Sequence, residues 1–375
     1  MILPSTFCIL PFISSTLAGH NKLIETDNIK PCCRYKGTLD SIGDCGTLSS
    51  VDYKRLQDQL LQGEKPQGCS ACWKAESLGH SSYRLDKLKQ FRHLLDNKDF
   101  LDQKLRFLEI TPGNACNLAC RMCMPRSSSK WFNVKLPNNY EHIKTERIEF
   151  FDWSTLDLSS LEVLKLMGGE PTYQKKHLAL LKHLDSLGQL EKIHLEMPTN
   201  LHEPFTEQWL EIFEKCKTTH IYVSIDGVGK VNDYVRQHSI WNQFENNLKN
   251  LLSFIEHKSI YVGISVTLSM FNINQSKKIE KYINSLGLDH FDPSQVVTTY
   301  PSFLDARNLK DSAKEWLIQH KLVTDGVRDI LEDSFGKYNP AHVEKFKQYV
   351  IDLDNFYGTS FEEVNRDMYN LIFRS

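Results

Sequence analysis

An α/β fold built on a partial (β/α)6 TIM-like barrel is predicted by three features of the 375-residue sequence. Between about residues 100 and 300, short apolar or β-branched runs alternate with polar, helix-patterned stretches, the pattern of βα units on a parallel sheet. The chemically distinctive residues all follow predicted strands, where barrels of this kind carry their chemistry. Cysteines crowd the region before residue 98, and amphipathic helix patterns fill the chain after Leu309. The expected division is a cysteine-rich module over 1–98, the barrel over 99–308 and a helical extension over 309–375.

The first module opens extended, and its apolar spacing predicts a helix over Val51–Leu61. A partly helical, amphipathic stretch follows Cys72 and ends near Asn97. Predicted strands are Leu105–Thr111, Leu161–Met167, Lys192–Met197, His220–Ile225, Tyr261–Leu268 and Gln295–Thr299. Predicted helices between them are His177–Leu187, Glu207–Cys216, Trp241–His257 and Gln275–Leu286. The last segment reads as a set of packing helices.

With 41% hydrophobic and 25% charged residues, the composition is that of an ordinary globular protein. A net charge of −2 supplies no overall steering toward nucleic acid. No apolar stretch is long enough to span a bilayer. The opening MILPSTFCILPFISS lacks a basic start and a small-residue cleavage site, and Pro4 and Pro11 interrupt any helix, so it reads as mature chain. Ten cysteines in clusters, in a chain of this length, favour metal ligation in a reducing, cytoplasmic setting over a disulfide framework.

The densest cluster is CNLACRMC, which sets Cys116, Cys120 and Cys123 in a C-x3-C-x2-C spacing just after the first predicted strand. Soft thiolates on one short loop select iron–sulfur clusters, zinc or copper. A cube of four irons normally takes four cysteines, so three leave one iron open to a small molecule. One βα unit later comes MGGEP, where Gly168 and Gly169 allow close backbone approach and Glu170 can receive an ammonium group.

This pair of motifs resembles the radical S-adenosylmethionine (radical SAM) family. The resemblance implies that Cys116, Cys120 and Cys123 hold a [4Fe-4S] cluster whose open iron chelates SAM. It also implies that Gly168, Gly169 and Glu170 contact the amino group of SAM. Ser224 and Arg236 match the segment that contacts SAM in peptide-modifying members, Asp226 in SIDG belongs to that segment, and Asn200 matches a ligand-facing position of the family. Read as ordinary residues, Asp226 and Gly227 make a strand-ending turn, Arg236 a surface ion pair and Asn200 a turn asparagine. The residue before the third cysteine is often aromatic in the family, and here it is Met122, whose thioether fills the same apolar contact.

The N-terminal cysteines resemble an auxiliary-cluster module of the SPASM or twitch type. Cys8, Cys32, Cys69 and Cys72 would then ligate a second [4Fe-4S] cluster, with Cys33 or Cys45 as a substitute for Cys32. The module precedes the barrel, whereas the family usually places it after, and the family's glycine five residues before the second ligand is here Asp27. A structural zinc site fits the C-x2-C spacing equally well. Cys216 reads as a small buried hydrophobe.

The function implied is reductive cleavage of SAM to a 5′-deoxyadenosyl radical and hydrogen abstraction from a substrate, first a peptide or protein side chain. A carbohydrate, nucleoside or small metabolite is the alternative substrate. A non-enzymatic iron–sulfur or zinc protein is the alternative class, and it leaves MGGEP without a role. The enzyme would need an electron donor such as a flavodoxin or ferredoxin.

Overall fold

The computed structural model describes residues 3–18, 20–21, 28–39, 41, 47–138, 140, 148–149, 153–288 and 297–374. Its strands are β1 Ser14–Ala18, β2 His20–Asn21, β3 Asn28–Lys30, β4 Phe107–Thr111, β5 Ile148–Glu149, β6 Val163–Leu166, β7 His194–Thr199, β8 Thr218–Ser224 and β9 Ile260–Ser265. Seven form an open, mostly parallel sheet in the order β3-β1-β4-β6-β7-β8-β9, and β2 pairs with β5. The predicted α/β class stands, with strands flanked by helices as in a partial, unclosed barrel.

The chain divides into two compact units: Met1–Asn114, Glu146–Met197 and Glu211–Thr219 form one, and Ala115–Thr145, Pro198–Leu210 and His220–Ser375 the other. In the first unit, β1 runs parallel to β4, with Ser14 opposite Phe107 and Ala18 opposite Thr111, and antiparallel to β3. The segment read from sequence as an extended start is thus a sheet strand. Parallel sheets bury both faces, and Leu108, Ile110, Leu164 and Leu195 are fully buried. Helix Val51–Leu61 forms as predicted because Ser50 caps its start, accepting from the Tyr53 amide. Gln57 locks it down, donating to the Pro11 and Leu48 carbonyls at 2.9 Å each. Phe7, Phe12 and Phe100 close the core with ring centroids 5.3–5.4 Å apart.

The second unit holds the segment after β9 and the C-terminal helices. Asn365 Nδ2 donates to the Phe271 carbonyl at 3.0 Å, and the Phe271 ring meets Phe346 at 4.8 Å. Asn339 caps helix Pro340–Tyr357, which ends at Gly358 with φ of 65°, a left-handed stop suited to glycine. The sixth predicted strand falls partly outside the described residues. Within them, Val297 makes a single parallel bridge to Leu268.

Candidate functional site

The loop that carries Cys116, Cys120 and Cys123 lies in the second unit and is pinned through its own backbone. Ala119 N donates to the Gln237 carbonyl at 3.1 Å and Arg121 N to Val235 at 2.8 Å. The Trp131 indole donates to the Cys120 carbonyl at 3.2 Å, and Ser128 Oγ to Leu118 at 2.6 Å. Arg121, unnoticed in the sequence, is fully buried between the second and third cysteines. Its guanidinium covers the Tyr234 ring at 3.7 Å, bonds the Tyr234 carbonyl at 2.7 Å and Thr359 Oγ1 at 2.8 Å, and faces Asp354 at 3.5 Å. The C-terminal helix thereby holds the loop in place, joined by the Tyr349 hydroxyl, which donates to the Arg121 carbonyl at 3.0 Å.

Asn200 stands beside this loop: its Nδ2 donates to Asn117 Oδ1 at 2.7 Å and lies 3.9 Å from Cys116 Sγ. Arg236 is no surface ion pair. Its Nη1 bonds Asp226 Oδ2 at 2.7 Å, with both side chains nearly buried. Asp226 is fixed in turn by the Thr267 amide at 2.8 Å, and its own carbonyl receives Asn272 Nδ2 at 2.7 Å. Ser224 ends β8, half-buried. Burial pushes the Cys123 thiol up to about 11 and Cys120 higher still, while the positive charge of Arg236 pulls both down. Three soft donors on a pinned loop, facing a permanent cation, fit a thiolate-bound iron–sulfur cluster.

Gly168, Gly169 and Glu170 belong to the first unit, on the turn directly after β6. Gly168 has φ of 94°, and a Cβ there would collide with the Gly113 carbonyl and the Thr111 methyl. Only glycine fits that approach. Behind the turn, buried His177 donates from Nε2 to the Met167 carbonyl at 2.8 Å, and Gln174 Nε2 reaches the Gly168 carbonyl at 3.4 Å. Burial lowers His177 from 6.5 to about 4. Glu170 is buried and accepts from Thr172 Oγ1 at 3.2 Å.

Cys8, Cys32, Cys69 and Cys72 line one cavity of the first unit together with Tyr83 and Arg84. Arg84 is a buried cation there, paired with Glu76 at 2.6 Å and donating to the Phe7 carbonyl at 2.6 Å. Burial pushes Cys8 up to about 12 and Cys69 up to about 11, and the neighbouring thiols add to both shifts. Cys33 is exposed, and Cys45 lies outside the described residues. Cys216 is buried, as expected for a small hydrophobe. Among the described residues, no three His, Cys, Asp or Glu side chains are gathered closely enough for one metal ion. The thiolates of an iron–sulfur cube each bind a different iron and stand further apart.

No curated protein matches the chain. Among solved structures, it is similar to native anSMEcpe with bound AdoMet at 17% identity and a TM-score of 0.37, over 56% of this chain and 58% of that one. It is also similar to Streptococcus suis SuiB bound to S-adenosylmethionine, at 17% identity and a TM-score of 0.34, over 72% and 57% of the two chains. The same SuiB bound to precursor peptide SuiA matches at 17% identity and a TM-score of 0.31, over 68% and 60%. The chain thus spans less than two thirds of the length of these structures, and likeness at this level carries no conclusion. A family model also matches: residues 110–272, from the end of β4 to Asn272 and somewhat less than half of the chain, are similar to the Radical SAM superfamily.

Proposed function

We propose that the chain is a radical SAM enzyme acting on a peptide or protein side chain. The observation that carries this reading is the pinned three-cysteine loop facing the Arg236–Asp226 pair, inside the matched domain. Cys116, Cys120 and Cys123 would hold a [4Fe-4S] cluster, with Gly168, Gly169, Glu170, Asn200, Ser224 and Arg236 binding SAM. A cluster held there would supply single-electron reduction of the SAM sulfonium, the chemistry that initiates hydrogen abstraction from a substrate.

The chain's own residues do the positioning. Arg121 fixes the loop that spaces the thiolates, and Arg236 keeps a cation beside Cys120 that favours the thiolate form. The Gly168 turn presents backbone unobstructed by a Cβ, and Glu170 supplies a carboxylate for an ammonium group. Cys8, Cys32, Cys69 and Cys72 would hold a second cluster, charge-balanced in part by Arg84. On this reading 1–98 is the auxiliary module, 99–308 the catalytic barrel and 309–375 the brace of the loop. An external flavodoxin or ferredoxin would supply the electron. No described helix is long and apolar enough to cross a membrane.

The test is anaerobic reconstitution, addition of dithionite and SAM, and chromatographic assay of 5′-deoxyadenosine and methionine, with iron, sulfide and zinc counted on the same sample. Cleavage with iron and sulfide for two clusters supports the reading. No cleavage, with zinc alone bound, overturns it.

A further inference from the structure

A row of polar side chains crosses one face of the sheet in the first unit. Register places Thr16 opposite Glu109, Glu109 opposite Lys165, and Lys165 opposite Glu196, on four adjacent parallel strands. The residues that alternate with them, Leu108, Leu164 and Leu195, are fully buried on the other face. Glu109 Oε2 lies 3.2 Å from Lys165 Nζ as an ion pair, outside hydrogen-bond geometry. Thr16 is nine-tenths buried, and among the described residues its hydroxyl has no hydrogen-bond partner. Thr16 and Glu109 are buried, while Lys165 and Glu196 keep partial exposure at the other end of the row. Helix Tyr83–Gln90 lies over the same face: Lys87 Nζ sits 4.7 Å from the Phe107 ring centroid and feels the charges of Glu196, Lys165 and Glu109.

A buried charge is costly unless it is both paired and hydrogen-bonded, and Glu109 Oε2 has the pair without the hydrogen bond; an unpaired buried hydroxyl likewise calls for a partner. The two lysines and two glutamates cancel, so the row has no pull on a net anion or cation. Acceptors and donors alternate along it, as amide carbonyl and N–H groups alternate along an extended chain. Tyr83 is a common wall, lining the four-cysteine cavity and carrying Lys87 5.2 Å above its ring.

We infer that this row is a binding site for a segment of polypeptide, with Glu109 and Glu196 receiving amide N–H groups and Thr16, Lys165 and Lys87 donating to carbonyls. The inference rests on the peptide reading proposed above and adds where the substrate lies. The site brings that segment up against the wall of the auxiliary cavity.

The experiment uses the reconstituted full chain and fluorescein-labelled, end-capped nonapeptides of zero net charge, pooled by central residue. Binding is read by anisotropy for wild type, Thr16→Val, Glu109→Gln and Lys165→Met, with Lys165→Arg as the conservative rescue. At least one pool binds wild type, and each substitution except Lys165→Arg weakens it about tenfold, the loss of one hydrogen bond to a charged or buried group. Circular dichroism and iron content matching wild type establish that the variants fold, and the isosteric Thr16→Val serves if the charge variants do not. Absence of binding by every pool, or binding indifferent to all three substitutions, overturns the inference. Binding of free amino acids with the same sensitivity, and of no peptide, overturns the polypeptide assignment. Variant-sensitive peptide binding by a chain that never cleaves SAM would sink the proposed activity and leave the site standing.

Discussion

Arg236 Nη1 bonds Asp226 Oδ2 at 2.7 Å with both groups almost wholly out of water, and this cation faces the thiols of Cys120 and Cys123. A carboxylate near a cluster loop would repel thiolates if left alone. Paired, it aims a guanidinium instead. Arg236→Met strands Asp226 and should destabilise the fold by about 3 kcal/mol, the cost of leaving one member of a buried pair uncompensated. Urea unfolding of the apoprotein reads this, and an unchanged midpoint would show that the pair is solvated.

Arg121→Met removes the bridge from Cys120–Cys123 to Tyr234, Thr359 and Asp354. Stability should fall by a similar amount, about 3 kcal/mol or more, and iron retention should fall with it. Iron content after gel filtration checks the second effect. Full retention of iron would show that the loop holds its shape without the bridge.

Two cysteine variants separate the two sites. Cys120→Ala should abolish 5′-deoxyadenosine formation and keep the iron held by the N-terminal cysteines, while Cys69→Ala should lose the N-terminal iron. If Cys69→Ala leaves iron unchanged and releases zinc, the second cluster is excluded.

Gly168→Ala forces a Cβ against the Gly113 carbonyl at a positive φ. Strain of this kind costs about 1–3 kcal/mol. Weaker SAM binding by equilibrium dialysis, together with a lower thermal midpoint, is expected. A variant indistinguishable from wild type in both would show that the turn relaxes freely.

His177 carries the pH dependence. Burial lowers it from 6.5 to about 4, so the folded state binds fewer protons than the unfolded one in that window. Its contribution is therefore present above pH 6.5 and is lost as pH falls toward 4, with a slope of up to about 1.4 kcal/mol per pH unit. The stability difference between wild type and His177→Gln, measured by urea unfolding from pH 7 to 4, should narrow as pH falls. A constant difference would mean that His177 titrates alike in the folded and unfolded states.

Features that depend on neighbours along the chain were legible in the amino-acid order alone. The C-x3-C-x2-C loop, the Gly168–Glu170 turn and helix Val51–Leu61 are local devices, set by spacing, by the absence of a Cβ and by the Ser50 cap. Strand and helix periodicity likewise place β4, β6, β7, β8 and β9 within a few residues of their predicted limits. Tertiary structure decided what depends on residues far apart. Only folding brings Asp354 and Thr359 to Arg121, more than 200 positions away, and sets β1 beside β4. Arg236 and Asp226 illustrate the difference: ten residues apart, they are turn and surface residues by local rules. Burial alone turns them into a charge pair, because removing water makes each require the other. Likewise Thr16, Glu109, Lys165 and Glu196 are scattered polar letters until strand register lines them up across one face.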